Sequence, residues 1–222
     1  MHGYHHGDLR RALIDATESL LAENGPQSFS LREVARRAGV SPAAPAHHFG
    51  DSSGLLTAVA VLAFDELAAA LRAGEARGGR DPRRRLLEQG VAYVEFAVRF
   101  PGRLRLMFGD ALRGGDAELG RAGNAAFLVL ENGVRAGFGV PAGEPLPPKA
   151  GTALLALWSV VHGYAHLAIA GRFDPICGED ARRGEFVATT LRPVLRAVIG
   201  GSIPAPRRAQ RAAPAKAGSR GR

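Results

Sequence analysis

The side chains most capable of chemistry in this 222-residue chain are Trp158, His162 and His166, which recur four apart within one apolar stretch. That spacing places them on one face of a helix. Two histidines four apart can begin a zinc site, but zinc needs a third ligand and, in a hydrolytic helix, a glutamate after the first histidine. Gly163 follows His162 and no third ligand is evident, so neither a metal nor another cofactor is expected. Two readings of Trp158 and His162 stay open: a core tryptophan beside a hydrogen-bonded core histidine, or the wall of an apolar small-molecule pocket. His2, His5 and His6 lie close together in the first eight residues, but no regular element fixes their geometry, and a polar arm is the expectation. The single cysteine, Cys177, excludes an internal disulfide and fits a reducing cytoplasm. It follows Pro175 and precedes Gly178, which reads as loop, and it has no evident catalytic partner. No Gly-x-Ser-x-Gly elbow occurs and no Gly-rich phosphate loop joins a strand to a helix, so an enzyme is not expected.

A second stretch, Ser30 to Phe49, carries recognition rather than reaction chemistry. Ser30 with Glu33 fits a capping box at a helix start. Leu31, Val34, Ala35 and Ala38 then recur on one helical face. Gly39 supplies the stop, since glycine takes positive φ without a Cβ clash. Ser41 and Pro42 form a second start signal, and the second helix is predicted to run to about Phe49. Helix, glycine turn and short helix make the helix-turn-helix pattern, whose second helix enters the DNA major groove. An ordinary helical hairpin has the same local signals.

The run Phe29-Ser-Leu-Arg-Glu-Val-Ala-Arg-Arg-Ala-Gly-Val-Ser41, with His47-His-Phe49 and Leu55-Leu56, resembles the TetR (tetracycline-repressor-like) family of regulators. The helix that the family places before this motif is matched by Leu9 to Asn24. The resemblance is specific over about the first 65 residues and looser beyond. It implies an all-α fold: an N-terminal three-helix DNA-binding domain with the helix-turn-helix, then a C-terminal helical ligand-binding and dimerisation domain. The expected partners are double-stranded DNA, a second copy of the chain and a small-molecule effector, with no membrane partner and a cytoplasmic location. Pro42, Ala43, Ala44 and His47 would face the groove, and Ser30, Arg32, Ser41 and His48 complete the set expected to touch DNA. Alanine can read only a thymine methyl or groove shape, so hydrogen-bonded base readout would be sparse. The family usually has tyrosine at Ala46 and lysine at Ser52, both phosphate contacts. Losing one such ionic contact lowers the salt slope by about 0.9 per half-site, which predicts a weaker grip or compensation from Ser30, Arg32 or the arm.

Charge does not add to this case. Of the net +8, residues 203–222 contribute +6 and residues 1–50 contribute zero. The histidines add charge near phosphates only when protonated. With 46% hydrophobic and 23% charged residues, the composition is that of an ordinary folded chain with ample core, and no uninterrupted apolar run reaches membrane-spanning length.

The elements that must position these groups follow from apolar spacing. Leu55, Leu56, Val59, Leu62, Ala63, Leu67 and Leu71 predict a connecting helix, and Gly74 to Asp81 a Gly/Arg-rich break. Further helices are predicted over Pro82 to Phe100, Leu104 to Phe108, Asp116 to Phe138, Lys149 to Arg172 and Arg183 to Ile199, the last kinked at Pro193. The domain boundaries expected are 1–65, 66–202 and a disordered basic tail, 203–222. The stretch Trp-Ser-Val-Val-His-Gly resembles a Trp-xxx-His-Gly signature of one TetR subgroup. It implies a pocket walled by Tyr93, Phe96, Met107, Phe108, Phe127, Trp158 and His162. The family also pairs its last two long helices into a four-helix dimer interface, which implicates Val161, Tyr164, Leu167, Leu191 and Leu195.

Overall fold

The computed structural model describes residues 6–25, 29–112, 115–177 and 184–205. Most of the arm and of the basic tail lie outside them. Ten helices and no strand occur among the described residues: α1 His6–Asn24, α2 Leu31–Ala38, α3 Ala44–Phe49, α4 Ser52–Arg77, α5 Pro82–Arg99, α6 Pro101–Met107, α7 Ala117–Phe138, α8 Pro148–Ile169, α9 Asp174–Cys177 and α10 Gly184–Ser202.

Local chemistry sets many of the ends. The Ser30 hydroxyl accepts the Glu33 N–H at 3.3 Å, the Asp51 carboxylate accepts from Gly54 at 2.8 Å, and Asp116 accepts from Leu119 at 2.8 Å. Each satisfies an amide that a helix start leaves unpaired. Gly39 ends α2 at φ 68°, and the following Val40 N–H reaches back to the Ala35 carbonyl. The reciprocal half of the capping box does not form, because the Glu33 carboxylate is taken by Arg36.

Two clusters of buried side chains organise the chain. The first joins Leu13, Leu20 and Leu21 of α1 to Val34 of α2 and to Leu55, Leu56, Val59 and Ala60 of α4, with Leu106 of α6 added. The second begins at Ala63 and Phe64 of α4 and takes in α5, α7, α8 and α10. α4 is therefore common to head and body, and at 26 residues it is about 39 Å long. By length and mean hydropathy α4 and α8 are apolar enough to cross a membrane. In this fold the apolar side chains of α4 are divided between the two cores.

Several expectations need correction. α4 does not break at Gly74 but continues to Arg77. A Cβ on Gly74 would lie 2.6 Å from the Glu88 carbonyl oxygen of α5, so this glycine permits a close helix crossing. Cys177 closes the single turn α9 instead of lying in a loop. Val161, Leu191 and Leu195 do not face outward: they are 5%, 0% and 0% exposed within the chain's own core, where α10 packs on α5 and α8. An apolar circumference shows that a helix is covered, but not which faces its own chain covers.

Candidate functional site

The head presents a surface made from α2 and the chain around α3. α3 starts at Ala44, two residues beyond the start expected from Ser41 and Pro42. Pro42 and Ala43 form a turn instead, closed by the Ala44 N–H on the Ser41 carbonyl at 3.0 Å. Pro45, in the first turn of α3, is buried against the head, where its missing N–H costs nothing. Ser30, Arg32, Ser41, Pro42, Ala43 and His47 are exposed, while Ala44 and His48 are half-buried. Ala46 is exposed too. Ser30, Arg32, Glu33, Arg36, Val40 and Pro42 line an open groove along α2.

Ion pairing sorts the cations of α2. Arg36 holds the Glu33 carboxylate at 2.6 and 2.8 Å, and Arg37 holds Glu23 of α1 in the same two-bond manner. Both carboxyls are thereby pulled below their ordinary pKa, chiefly by the arginine hydrogen bond. Arg32 makes no ion pair among the described residues, which leaves it the free guanidinium of this face. The Arg10 guanidinium lies 5.2 Å over the Phe49 ring and closes the side of the head behind α3.

The body holds a cavity of about 410 Å³ between α4, α5, α7, α8 and α10. Phe64, Leu67 and Leu71 of α4 form one wall, and Leu130, Leu157, Val161 and Leu195 contribute others. Of the seven side chains expected there, Tyr93, Phe108, Phe127 and Trp158 line it. Phe96 and Met107 do not: they are 5% and 6% exposed and fill the solid core instead. His162 stands behind the wall, its Nδ1 2.8 Å from the Tyr93 hydroxyl and its ring 4.6 Å from that of Phe108. Burial, and then the neighbouring His166, lowers the His162 pKa, which favours the neutral ring. The His162 and His166 rings lie 4.5 Å apart, tilted by 57°, and no cluster of three metal-ligating side chains occurs among the described residues.

Three features escape a reading of the sequence. Gln89 and Asn124 line the cavity. Gln89 stands one turn before Tyr93 in the apolar stripe of α5, and a polar residue in that phase is a readable signal. Arg103 of α6 is 7% exposed and bridges Glu18 of α1, at 2.7 Å, to Glu66 of α4, its guanidinium lying 4.3 Å over the Phe100 ring. Nothing local marks that bridge, since its partners are far apart in the chain. Gly102 lets α6 touch α1, where a Cβ would meet the Leu21 carbonyl at 2.8 Å.

On the expected dimer face, Tyr164 is half-buried, its hydroxyl bonded to the Thr190 hydroxyl, and Leu167 is 48% exposed. Leu155 of α8 and Val194 of α10 are also exposed, at 59% and 43%.

Known proteins match this arrangement in both halves. Residues 13–59 fit the model of bacterial regulatory proteins of the tetR family, and residues 86–192 fit the tetracyclin repressor-like C-terminal domain. An HTH-type transcriptional regulator BetI of Burkholderia ambifaria is 40% identical over 80 residues, 36% of this chain and 41% of that protein. The chain thus spans about two fifths of the length of the curated relatives it matches. A Rhodococcus sp. RHA1 protein with unknown function is 34% identical, with a TM-score of 0.69 over 88% of this chain and 97% of that one. The TetR family transcriptional regulator PfmR of Thermus thermophilus shares the fold at 20% identity, with a TM-score of 0.61 over 87% of this chain and 96% of that one.

Proposed function

The chain belongs to the tetR family of bacterial regulatory proteins, and on that premise we propose that it is a ligand-responsive, DNA-binding transcriptional regulator. It acts as a homodimeric, cytoplasmic repressor that holds a near-palindromic operator and is released by a small, mostly apolar molecule. The observation that carries this reading is the double membership of α4. Its first turns, through Leu55, Leu56, Val59 and Ala60, are part of the head core, and its later turns, through Phe64, Leu67 and Leu71, wall the cavity. A molecule that reshapes the cavity must press on the same rod that carries the head. α6 runs beside it: Phe108 at its end lines the cavity, while Arg103 and Leu106 hold the head.

Pro42, Ala43, Ala44 and His47 supply the reading surface, and Ser30, Arg32, Ser41 and His48 the backbone contacts. The domain division near residue 65 follows the change of core along α4. The outward faces of α8 and α10, with Leu155, Tyr164, Leu167 and Val194, pair with a second copy. A two-fold axis there sets two α3 helices on successive major grooves about 34 Å apart and imposes near-palindromy on the site. Trp158 in the cavity wall, with His162 behind it, supports placing the chain in the Trp-xxx-His-Gly subgroup. A cavity of about 410 Å³ falls in the range of small-molecule sites, which favours ligand response over a constitutive architectural role.

The test is selection of genomic fragments by the purified protein, repeated with Pro42→Ser, Ala43→Gln and His47→Ala variants. One near-palindromic site is expected for the parent, and altered preference with an intact dimer for the variants. Unchanged site choice in all three would remove this surface from the reading role.

A further inference from the structure

We infer that the end of the body opposite the head is a second DNA-binding surface, built by Arg80, Arg83, Arg84 and Arg196, which takes the phosphate backbone of a duplex other than the one the heads hold. This surface rests on the proposed function only for the duplex on the heads.

Its place follows from α4. That helix leaves the head at Ser52 and reaches Gly78 about 39 Å on. A Cβ on Gly78 would lie 2.8 Å from the Arg84 carbonyl carbon, so the start of α5 stands at the far end. α10 brings its last turn there too, where the Arg83 guanidinium donates to the carbonyls of Ile203 and Pro204. Arg83, Arg84, Arg192 and Arg196 line one groove between α5 and α10. A duplex seated on α2 and α3 lies at the other end of α4. The groove also stays clear of the expected partner face, since Val194, two positions from both Arg192 and Arg196, points to the other side of α10.

The charge follows from how the ion pairs sort. Arg85 is taken by Glu75, Arg192 by Glu88, and Arg77 lies between Glu88 and Glu95. Arg80, Arg83, Arg84 and Arg196 make no ion pair among the described residues, and the carbonyls that Arg83 meets leave its charge intact. Arg80, Arg84 and Arg196 are exposed. Of the two carboxylates in the groove, Glu88 is held by Arg192, and Asp81 caps α5 by accepting the Arg83 N–H at 3.0 Å. From Pro204 the chain continues into residues 206–222, which carry six cations and no acid.

The partner follows from what the surface lacks. Leu87 and Ile199 in the groove are buried, and none of the exposed large apolar side chains lies in it. It therefore offers neither an apolar wedge for lipid nor a buried anchor for a protein partner. It offers guanidinium forks, which match phosphate oxygens two at a time, and contacts of that kind hold a duplex without reading its sequence.

The full-length protein is bound to saturation on an immobilised operator duplex and washed, and a labelled operator-free duplex is titrated in across salt. The parent is expected to capture the second duplex, less tightly as salt rises. Arg84→Gln with Arg196→Gln should lower the slope of log affinity against log salt by about 1.8 per copy, with operator retention and thermal midpoint unchanged. Arg84→Lys with Arg196→Lys should keep most of the slope. No capture by the parent, or an unchanged slope in the glutamine variant, would overturn the surface. Loss only when the six cations of residues 206–222 become glutamine would assign the binding to that segment and overturn the surface as well. Preference for phosphatidylglycerol vesicles or polyglutamate over the duplex at equal salt would overturn DNA as the partner. Failure of the parent to stay on the operator would remove the head reading alone. The far surface is then judged by titrating the operator-free duplex into the free protein, where the same drop in slope is expected and its absence is decisive against it.

Discussion

Gly74→Ala probes whether α4 is a single rod pressed closely against α5. The new Cβ would sit 2.6 Å from the Glu88 carbonyl oxygen and 2.8 Å from the Ala92 Cβ. Neither neighbour can rotate away, because one is helix backbone and the other is fixed to it. Ordinary contact begins near 3.4 Å, so α5 must withdraw by about 0.8 Å. Overpacking of this kind costs about 1–3 kcal/mol. Against it stands the gain of about 1 kcal/mol from replacing a mid-helix glycine with alanine. Gly120→Ala isolates that gain, because Gly120 lies exposed in α7 with nothing within 4 Å of its would-be Cβ. Gly120→Ala should therefore stabilise by about 0.5–1 kcal/mol, while Gly74→Ala should fall below it by the whole crowding cost. For a chain of this size each kcal/mol moves the thermal midpoint by about 2–4 °C. Thermal and urea unfolding, followed by circular dichroism at one protein concentration, measures the difference. Equal stability of the two variants would refute the close crossing and return Gly74 to the role of a helix stop.

Gly102→Ala should drive α6 off the Leu21 backbone of α1. It is expected to destabilise by about 1–3 kcal/mol and to change operator affinity at least several-fold, measured by fluorescence anisotropy. Unchanged affinity would show that the α6–α1 contact does not position the head. Arg32→Gln should lower the slope of log affinity against log salt by about 0.9 per half-site if Arg32 grips a phosphate, while leaving site choice intact. The lowered pKa of His162 has a definite sign: the unfolded chain takes up that proton first as pH falls. Its contribution to stability is complete above about pH 6.5 and is lost as pH drops from there toward the folded pKa. His162→Gln should flatten that decline in thermal midpoint between about pH 8 and about pH 5, and an unaltered profile would count against it.

Helix ends are legible in the sequence wherever the cap is local. Ser30, Gly39, Asp51 and Gly139 each act through residues within five positions. The start of α3 reads two residues early because Ser41-Pro42 is as good a start signal as a turn signal, and the packing of Pro45 against the head decides between them. Gly74 reads as a break because a glycine that stops a helix and one that admits a neighbour look alike without the neighbour. Much of the cavity wall is legible as aromatic residues on helices, with Tyr93, Phe108, Phe127 and Trp158 meeting there. Phe96 and Met107 show the limit, since apolar type alone does not separate a wall from solid core. Val161, Leu191 and Leu195 read as partner contacts for the same reason. Arg103 is invisible because Glu18 and Glu66 lie 85 and 37 positions away along the chain.

The central claim is that cavity and head are coupled through α4, and calorimetry tests it most directly. A compound found to release the operator is titrated into the free protein and into the operator complex. The account predicts weaker binding to the complex, by the same factor by which the compound weakens DNA binding. Equal affinity in both titrations would contradict it.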